Sequence, residues 1–94
     1  MHEPSRSNLD RAGGWTAEQA VEFATARELL GAVIAAYSGR ISSAASPEET
    51  EQLLIEQRTY VTERRQLTAT DLEAVARIRR DYPGLLRRLR GEPA

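Results

Sequence analysis

Several residue types that carry chemistry are scarce or absent in this sequence of 94 residues. It contains no cysteine, one histidine, one tryptophan and one phenylalanine. The absence of cysteine excludes disulfides, a thiolate nucleophile and any cysteine–zinc site. Because His2 is the sole imidazole and lies near the N-terminus, a Ser–His–Asp arrangement has no well-placed base. We therefore expect a protein that is not an enzyme and that holds no metal ion or cofactor.

Long apolar runs and lysine are also missing. No stretch reaches the roughly 20 apolar residues that a membrane-spanning helix needs, and residues 1–14 lack the apolar core of a secretory signal. These features predict a cytoplasmic protein that has no contact with a membrane and no small-molecule substrate. All thirteen basic residues are arginine. A GC-rich coding bias explains this usage, and the alternative is selection for bidentate contacts to carboxylate or phosphate.

The remaining composition is that of a small globular domain. Hydrophobic residues make up 40% and charged residues 29%, with a net charge of -1. This length permits one domain and a modest core. We predict a flexible polar tail over residues 1–14, a single helical domain over residues 15–90, and a frayed C-terminus over residues 91–94.

Capping signals divide the domain into three predicted helices, over residues 16–44, 47–66 and 69–90. Thr16 with Gln19 forms a capping-box pattern at the first helix. Ser46 caps the second helix, and Pro47 fits its first position because no amide partner is lost there. The inward faces predicted from the 3.6-residue period are Ala20, Phe23, Leu30, Ile34, Tyr37 and Ile41 in the first helix and Leu53, Leu54, Gln57, Tyr60, Val61 and Leu67 along the second.

The third helix has two candidate caps and an internal proline. Thr70 with Glu73 forms a capping-box pattern, and Thr68 is an alternative cap. Pro83 is predicted to interrupt the helix, with a kink or turn over residues 81–84. Its predicted inward face is Leu72, Val75, Ala76, Arg79 and Tyr82, with Ile78 beside it. The predicted fold is an all-α, small three-helix bundle, made of an antiparallel helical hairpin and a third, Pro-kinked helix.

Two surfaces stand out as candidates for binding. The first is a basic strip near the C-terminus, which is expected to contact phosphates or to pair with the acidic residues of the second helix, residues 48–56, or with an acidic surface of a protein partner. Its members are Arg77, Arg79, Arg80, Arg87, Arg88 and Arg90.

The second candidate is the uncharged run over residues 29–39. As a helix this run is apolar on every side, and two amphipathic neighbours would not readily cover it. We expect part of it to meet another chain, the alternative being that its alanines are simply exposed.

The order of elements also resembles a known family. A polar N-terminus, a long first helix, a charged second helix and a third helix that opens with Leu72-Glu73-Ala74-Val75 after its cap are similar to the epsilon antitoxin of epsilon–zeta toxin–antitoxin pairs, over roughly residues 16–89. The resemblance implies a three-helix bundle that neutralises a nucleotide-dependent kinase toxin by covering its nucleotide site with the start of the first helix. It implies that Trp15, Glu18, Glu22 and Phe23 face that site. The arginine- and alanine-rich composition is similar to that of small proteins of high-GC bacteria.

The sequence therefore predicts a non-enzymatic protein-binding module, antitoxin-like or inhibitory towards another protein. One alternative is a self-associating helical module, and a second is a nucleic-acid-binding protein that uses the basic strip. The predicted partner-binding residues are Trp15, Glu18, Glu22, Phe23, Leu29, Val33 and Ala36.

Overall fold

The computed structural model describes residues 16–92 and contains three helices. These are α1 (Ala17–Ser42), α2 (Pro47–Gln66) and α3 (Leu72–Leu89). Within this range there are no strands, and α1 packs against both other helices. The predicted all-α three-helix bundle is confirmed. The predicted N-terminal tail, Trp15 and positions 93–94 lie outside the described residues.

The predicted starts of α1 and α2 are confirmed. The Thr16 side chain accepts a hydrogen bond from the Gln19 N–H at 3.1 Å, and the Gln19 side chain accepts one from the Thr16 N–H at 2.8 Å. Ser46 Oγ accepts from the Glu49 N–H at 3.1 Å, and Pro47 occupies the first helical turn. Each cap satisfies an N–H that has no partner inside the helix.

The predicted start of α3 is wrong. Asp71 is the N-cap, because its carboxylate accepts from the Ala74 N–H at 3.2 Å. Thr70 instead makes a hydroxyl–hydroxyl contact of 3.3 Å with Thr68, whose carbonyl accepts the Asp71 N–H at 3.2 Å. Aspartate and threonine are both good N-cap residues. The hydrogen bond from the Asp71 N–H to the Thr68 carbonyl closes a turn, and this turn places Asp71 at the cap position.

Replacing Asp71 by alanine should lower the free energy of unfolding by about 1 kcal/mol, the usual cost of losing an N-cap. Thr70→Ala is the matched control and should change it by less than about 0.5 kcal/mol, as for an ordinary surface substitution. Urea unfolding of both variants measures the difference. If Thr70→Ala lowers the free energy of unfolding more than Asp71→Ala does, Thr70 is the N-cap, as the sequence predicts.

The turn predicted as one alternative at Pro83 is wrong, because α3 remains helical from Leu72 to Leu89, and the other alternative, a kink, stays a prediction. Proline removes one intrahelical hydrogen bond, and apolar packing offsets this loss. Tyr82 is buried, and Leu85 and Leu86 pack against the core.

Backbone hydrogen bonds cap the end of α3. Gly91 has a φ of 75°, its N–H bonds the Arg88 carbonyl at 3.0 Å, and the Glu92 N–H bonds the Arg87 carbonyl at 2.9 Å. This pair of bonds is a Schellman motif, so Gly91 and Glu92 form a helix cap. The fraying predicted over residues 91–94 stays a prediction. The first helix, by contrast, ends slightly earlier than predicted, at Ser42.

Side-chain contacts show that α1 and α2 are antiparallel. The Tyr37 hydroxyl donates to Glu56 Oε1 at 3.1 Å. Earlier in α1 and later in α2, the Arg64 Nε atom lies 3.8 Å from the position that a β-carbon on Gly31 would occupy. The predicted helical hairpin is confirmed by this order of contacts.

The first and third helices are parallel. Arg79 lies 3.8 Å from Glu22 in the first half of α1, and Arg40 near its end donates to the Leu89 carbonyl at 3.4 Å. The core lies where α1 faces both neighbours. Its buried members are Ala26, Leu30, Val33, Tyr37, Leu53, Leu67, Val75, Ile78 and Tyr82.

The predicted inward faces are right in part. In α2, Leu53 is buried and Tyr60 packs against the core, whereas Leu54 is 41% exposed. In α3, Val75, Ile78 and Tyr82 are buried, whereas Leu72 is 50% exposed and Ala76 is exposed. The inward faces of α2 and α3 are therefore rotated from the predicted ones, and Leu54 and Leu72 remain on the surface.

Candidate interaction surfaces

Three tyrosines, one from each helix, form a ladder through the bundle. The Tyr37 and Tyr60 rings are stacked with centroids 5.6 Å apart, and Tyr60 meets Tyr82 edge to face at 5.7 Å. Such aromatic pairs each add about 0.5–1.5 kcal/mol beyond the area they bury. The ladder therefore ties α2 to both α1 and α3.

A polar network joins α2 to α3 beside this ladder. Glu63 accepts hydrogen bonds from the Tyr82 hydroxyl and from the Arg77 guanidinium, and Arg77 also donates to the Tyr82 hydroxyl at 3.2 Å. The Arg77 guanidinium carbon lies 5.7 Å from the Tyr82 ring centroid. Because α2 and α3 have no close backbone approach within residues 16–92, these side chains are the main link between them.

Burial and carboxylate acceptors raise the pKa of two tyrosines. Burial has the largest effect on Tyr82 and raises its pKa to about 12, with the hydrogen bond to Glu63 adding to it. Burial also raises the pKa of Tyr37, and the hydrogen bond to Glu56 acts in the same direction. Both environments favour the neutral hydroxyl, so each tyrosine acts as a stable hydrogen-bond donor.

These shifts predict a loss of stability in alkali. Between the ordinary tyrosine pKa of 10.0 and about 12, the unfolded chain releases the Tyr82 proton while the folded chain keeps it. The contribution of Tyr82 to the free energy of unfolding should therefore be fully present below pH 10.0 and be lost as the pH rises towards about 12. Urea unfolding at a series of pH values measures this, and Tyr82→Phe should flatten the slope. A slope unchanged in Tyr82→Phe would contradict the assignment.

The structure divides the predicted basic strip into two halves. The first half pairs within the chain: Arg77 with Glu63, Arg79 with Glu22, and Arg80 with Asp81 at 2.9 Å. The predicted pairing of the basic strip with the acidic residues 48–56 is wrong for these three arginines, because none of their partners lies in that range. The second half, Arg87, Arg88 and Arg90, forms no ion pair with the described part of the chain.

The predicted partner-binding residues of α1 fall into two groups. Glu18 is exposed, Glu22 pairs with Arg79, and Leu29 and Ala36 are partly buried. These four share one helix face, because they are spaced by four and seven residues.

The other predicted residues point inward. Phe23 is partly buried against the core under the Arg27 guanidinium. Val33 is fully buried, so it belongs to the core and to no surface. The predicted partner-binding role of Val33 is therefore wrong, whereas the burial of Leu30 and Tyr37 confirms their predicted place on the inward face of α1.

A further surface was missed in the sequence and lies along α2. Leu54, Arg58, Val61 and Arg65, which we call the outer groove, line a shallow depression of about 390 Å³ together with Gln57 and Thr62. Periodicity predicts that Leu54 and Val61 face the core. The spacing of the four outer-groove residues by four, three and four residues was the available signal, since it places them on one helix stripe.

The outer groove combines apolar contact area with positive charge. Leu54 is 41% exposed and Val61 is partly buried. Arg58, Arg64 and Arg65 form no ion pair within residues 16–92. Arg64 and Arg65 lie in the last turn of α2, where they also complement the negative end of the helix dipole. Arg58 is further from the helix end, so the dipole does not explain it.

Contacts of α2 side chains with α1 fix one edge of the outer groove. The Gln57 side-chain amide donates to the Ile34 carbonyl and to Ser38 Oγ, each at 2.9 Å. Arg64 lies beside Gly31 of α1, with its Nε atom 3.8 Å from the position that a β-carbon on Gly31 would occupy. Residues that flank Leu54 and Val61 are therefore held against α1, and the groove is a defined part of the folded bundle.

No family model, curated protein or solved structure matches this chain. Among the described residues no group of three or more His, Cys, Asp or Glu side chains is placed to hold a metal ion. None of the three described helices has the length and apolar character needed to cross a membrane.

Proposed function

We propose that this chain is a non-enzymatic protein-binding module and that the outer groove of α2 is its binding surface. The observation that carries the proposal is the exposure of Leu54 on the same helix stripe as Arg58 and Arg65, which have no ion-pair partner in residues 16–92. An exposed apolar side chain gains free energy when a partner covers it. Adjacent arginines gain specificity from a partner with complementary charge.

We further propose that binding inhibits the partner, as the resemblance to the epsilon antitoxins implies, and that the interaction takes place in the cytoplasm. The start of α1 is available for a contact of the kind those antitoxins make, because Glu18 is exposed and Val21 is 65% exposed. A partner that spans both surfaces would contact α1 and α2 together.

Affinity capture with variants tests the proposed surface. The full chain is expressed with a tag in the cells that produce it naturally, and a stoichiometric protein partner is expected with the unaltered chain. The double variant Leu54→Ser, Arg58→Glu should lose this partner. Rebinding of the purified partner to the purified chain then confirms direct contact.

The matched control is the double variant Ile55→Ser, Arg87→Glu. It changes one exposed apolar residue and one arginine without an ion-pair partner, both outside the outer groove. This control should retain the partner. Equal retention by both double variants would show that the outer groove is not the binding surface, and loss in both would show that the effect is not local.

A further inference from the structure

We propose that the outer groove binds an acidic amphipathic helix of the partner. This inference rests on the proposed function, since it assigns the class of partner segment that the same surface accepts. It depends on three properties of the groove, namely its shape, its charge and its apolar residues.

The shape of the outer groove fits a helix. Its four residues run from Leu54 to Arg65, so the stripe spans three turns of α2 and is about 17 Å long. Steps of four and three residues are the spacing at which one helix presents side chains to another. A partner helix would lie along this stripe and present its own residues at i, i+3, i+4 and i+7.

The positive charge of the outer groove favours a negatively charged partner. Arg58 and Arg65 have no carboxylate partner in the described chain, and the nearby Glu63 is already occupied by Arg77. A carboxylate from another molecule would form charge-assisted hydrogen bonds with either guanidinium. Glu51 is exposed one turn before Leu54, so acidic residues of the partner are expected beside the C-terminal half of α2.

The apolar residues of the outer groove favour protein over nucleic acid. Arg58 and Arg65 alone would suit a phosphate backbone. Val61 lies between them on the same stripe, and Leu54 lies one turn before Arg58. A sugar–phosphate backbone would leave both apolar side chains without a complementary contact. An amphipathic helix satisfies both kinds of residue, because its apolar side chains cover Leu54 and Val61 while its flanking carboxylates reach the arginines.

The test uses the full chain, isotopically labelled for NMR, and two synthetic helical peptides. Both peptides carry leucine at the a and d heptad positions; one carries glutamate at e and g, and its counterpart carries lysine there. The glutamate peptide is expected to bind and to shift amide signals of residues 54–65. The lysine peptide is expected to bind at least about ten-fold more weakly.

Charge reversal provides the decisive comparison. The double variant Arg58→Glu, Arg65→Glu should bind the glutamate peptide about ten-fold more weakly or worse, and it should bind the lysine peptide more tightly than the unaltered chain does. The matched control, Arg87→Glu with Arg88→Glu, makes the same change in net charge on α3 and should leave both affinities unchanged. Leu54→Ser should lower the affinity for the glutamate peptide. Ile55→Ser should leave this affinity unchanged, because Ile55 lies about 100° further round α2.

Several results would overturn the inference. Loss of binding in the Arg87 and Arg88 control with none in the Arg58 and Arg65 variant would place the site elsewhere. If the chain binds duplex DNA and Leu54→Ser does not weaken this binding, the ligand of the outer groove is nucleic acid and not a helix. Shifts at residues 54–65 that depend on the concentration of the chain alone would make a second copy the occupant.

The result also separates this inference from the proposed function. Preferential binding of the lysine peptide to residues 54–65 would refute an acidic helix while leaving the outer groove as a protein-binding surface. If neither peptide shifts these signals and partner capture also tolerates Leu54→Ser with Arg58→Glu, both proposals fail.

Discussion

Replacing Leu30 by alanine should lower the free energy of unfolding by about 2–5 kcal/mol. Leu30 is fully buried at the centre of α1, where that helix faces both neighbours. The substitution removes apolar contacts and leaves a cavity that the surrounding side chains fill only in part. Single domains of ordinary stability have about 5–15 kcal/mol in total, so this one change should remove a large fraction of it. Urea unfolding followed by circular dichroism measures the loss.

Leu54→Ala is the matched control for Leu30→Ala. The same atoms are removed, but Leu54 is 41% exposed and belongs to the outer groove. Its cost should stay below about 1 kcal/mol, because water already reaches the site. Ile34 is partly buried, so Ile34→Ala should fall between the two. If Leu30→Ala were no more costly than Leu54→Ala, the assignment of core and surface in this bundle would be wrong.

Capping residues in the sequence predicted the start of a helix correctly where a single capping residue stands at that start. Thr16 and Ser46 are each the sole capping residue beside a long periodic segment, and both cap as expected. At the start of α3, Thr68, Thr70 and Asp71 can all accept a backbone hydrogen bond. The choice depends on the turn that follows Leu67, which is buried by tertiary packing. No local pattern contains that information.

The candidate surface was harder to predict because apolar residues of α2 occupy two neighbouring stripes. Leu53 and Tyr60 lie on one, Leu54 and Val61 on the next, and periodicity allows either to face the core. The position of α1 and α3 selects Leu53, so Leu54 is left on the surface. A helix that packs against one neighbour covers one stripe, and the second stripe then remains available to a partner.

Charge pairing depends on the same long-range geometry. The net charges of the second helix and the C-terminus are opposite, which made residues 48–56 a reasonable partner for the basic strip. In the bundle α2 and α3 are antiparallel, because Tyr60 meets Tyr82 whereas Glu63, later in α2, meets Arg77, earlier in α3. The end of α2 therefore lies beside the first half of α3, and Arg77 meets Glu63.

Replacing Glu63 by alanine should lower the free energy of unfolding by about 2 kcal/mol, the cost of leaving buried polar groups without a partner. The Tyr82 hydroxyl loses its acceptor in a residue that is 8% exposed. Arg77 is nearly half exposed, so water solvates its guanidinium and adds little to the loss. Glu63→Gln keeps an acceptor for Tyr82 and should cost less. Glu51→Ala, at an exposed position of the same helix, is the control and should cost less than about 0.5 kcal/mol.

A double-mutant cycle with Tyr82→Phe isolates this contact. Removing the hydroxyl together with Glu63 leaves no unsatisfied donor, so the cost of Glu63→Ala should be smaller in the Tyr82→Phe background than in the unaltered chain. Since α1 still holds α3 through Val75 and Ile78, both variants should remain folded. Faster amide hydrogen exchange is then expected in α3 and the second half of α2, with α1 changed least. Equal costs in both backgrounds would mean that Glu63 stabilises the bundle through Arg77 alone.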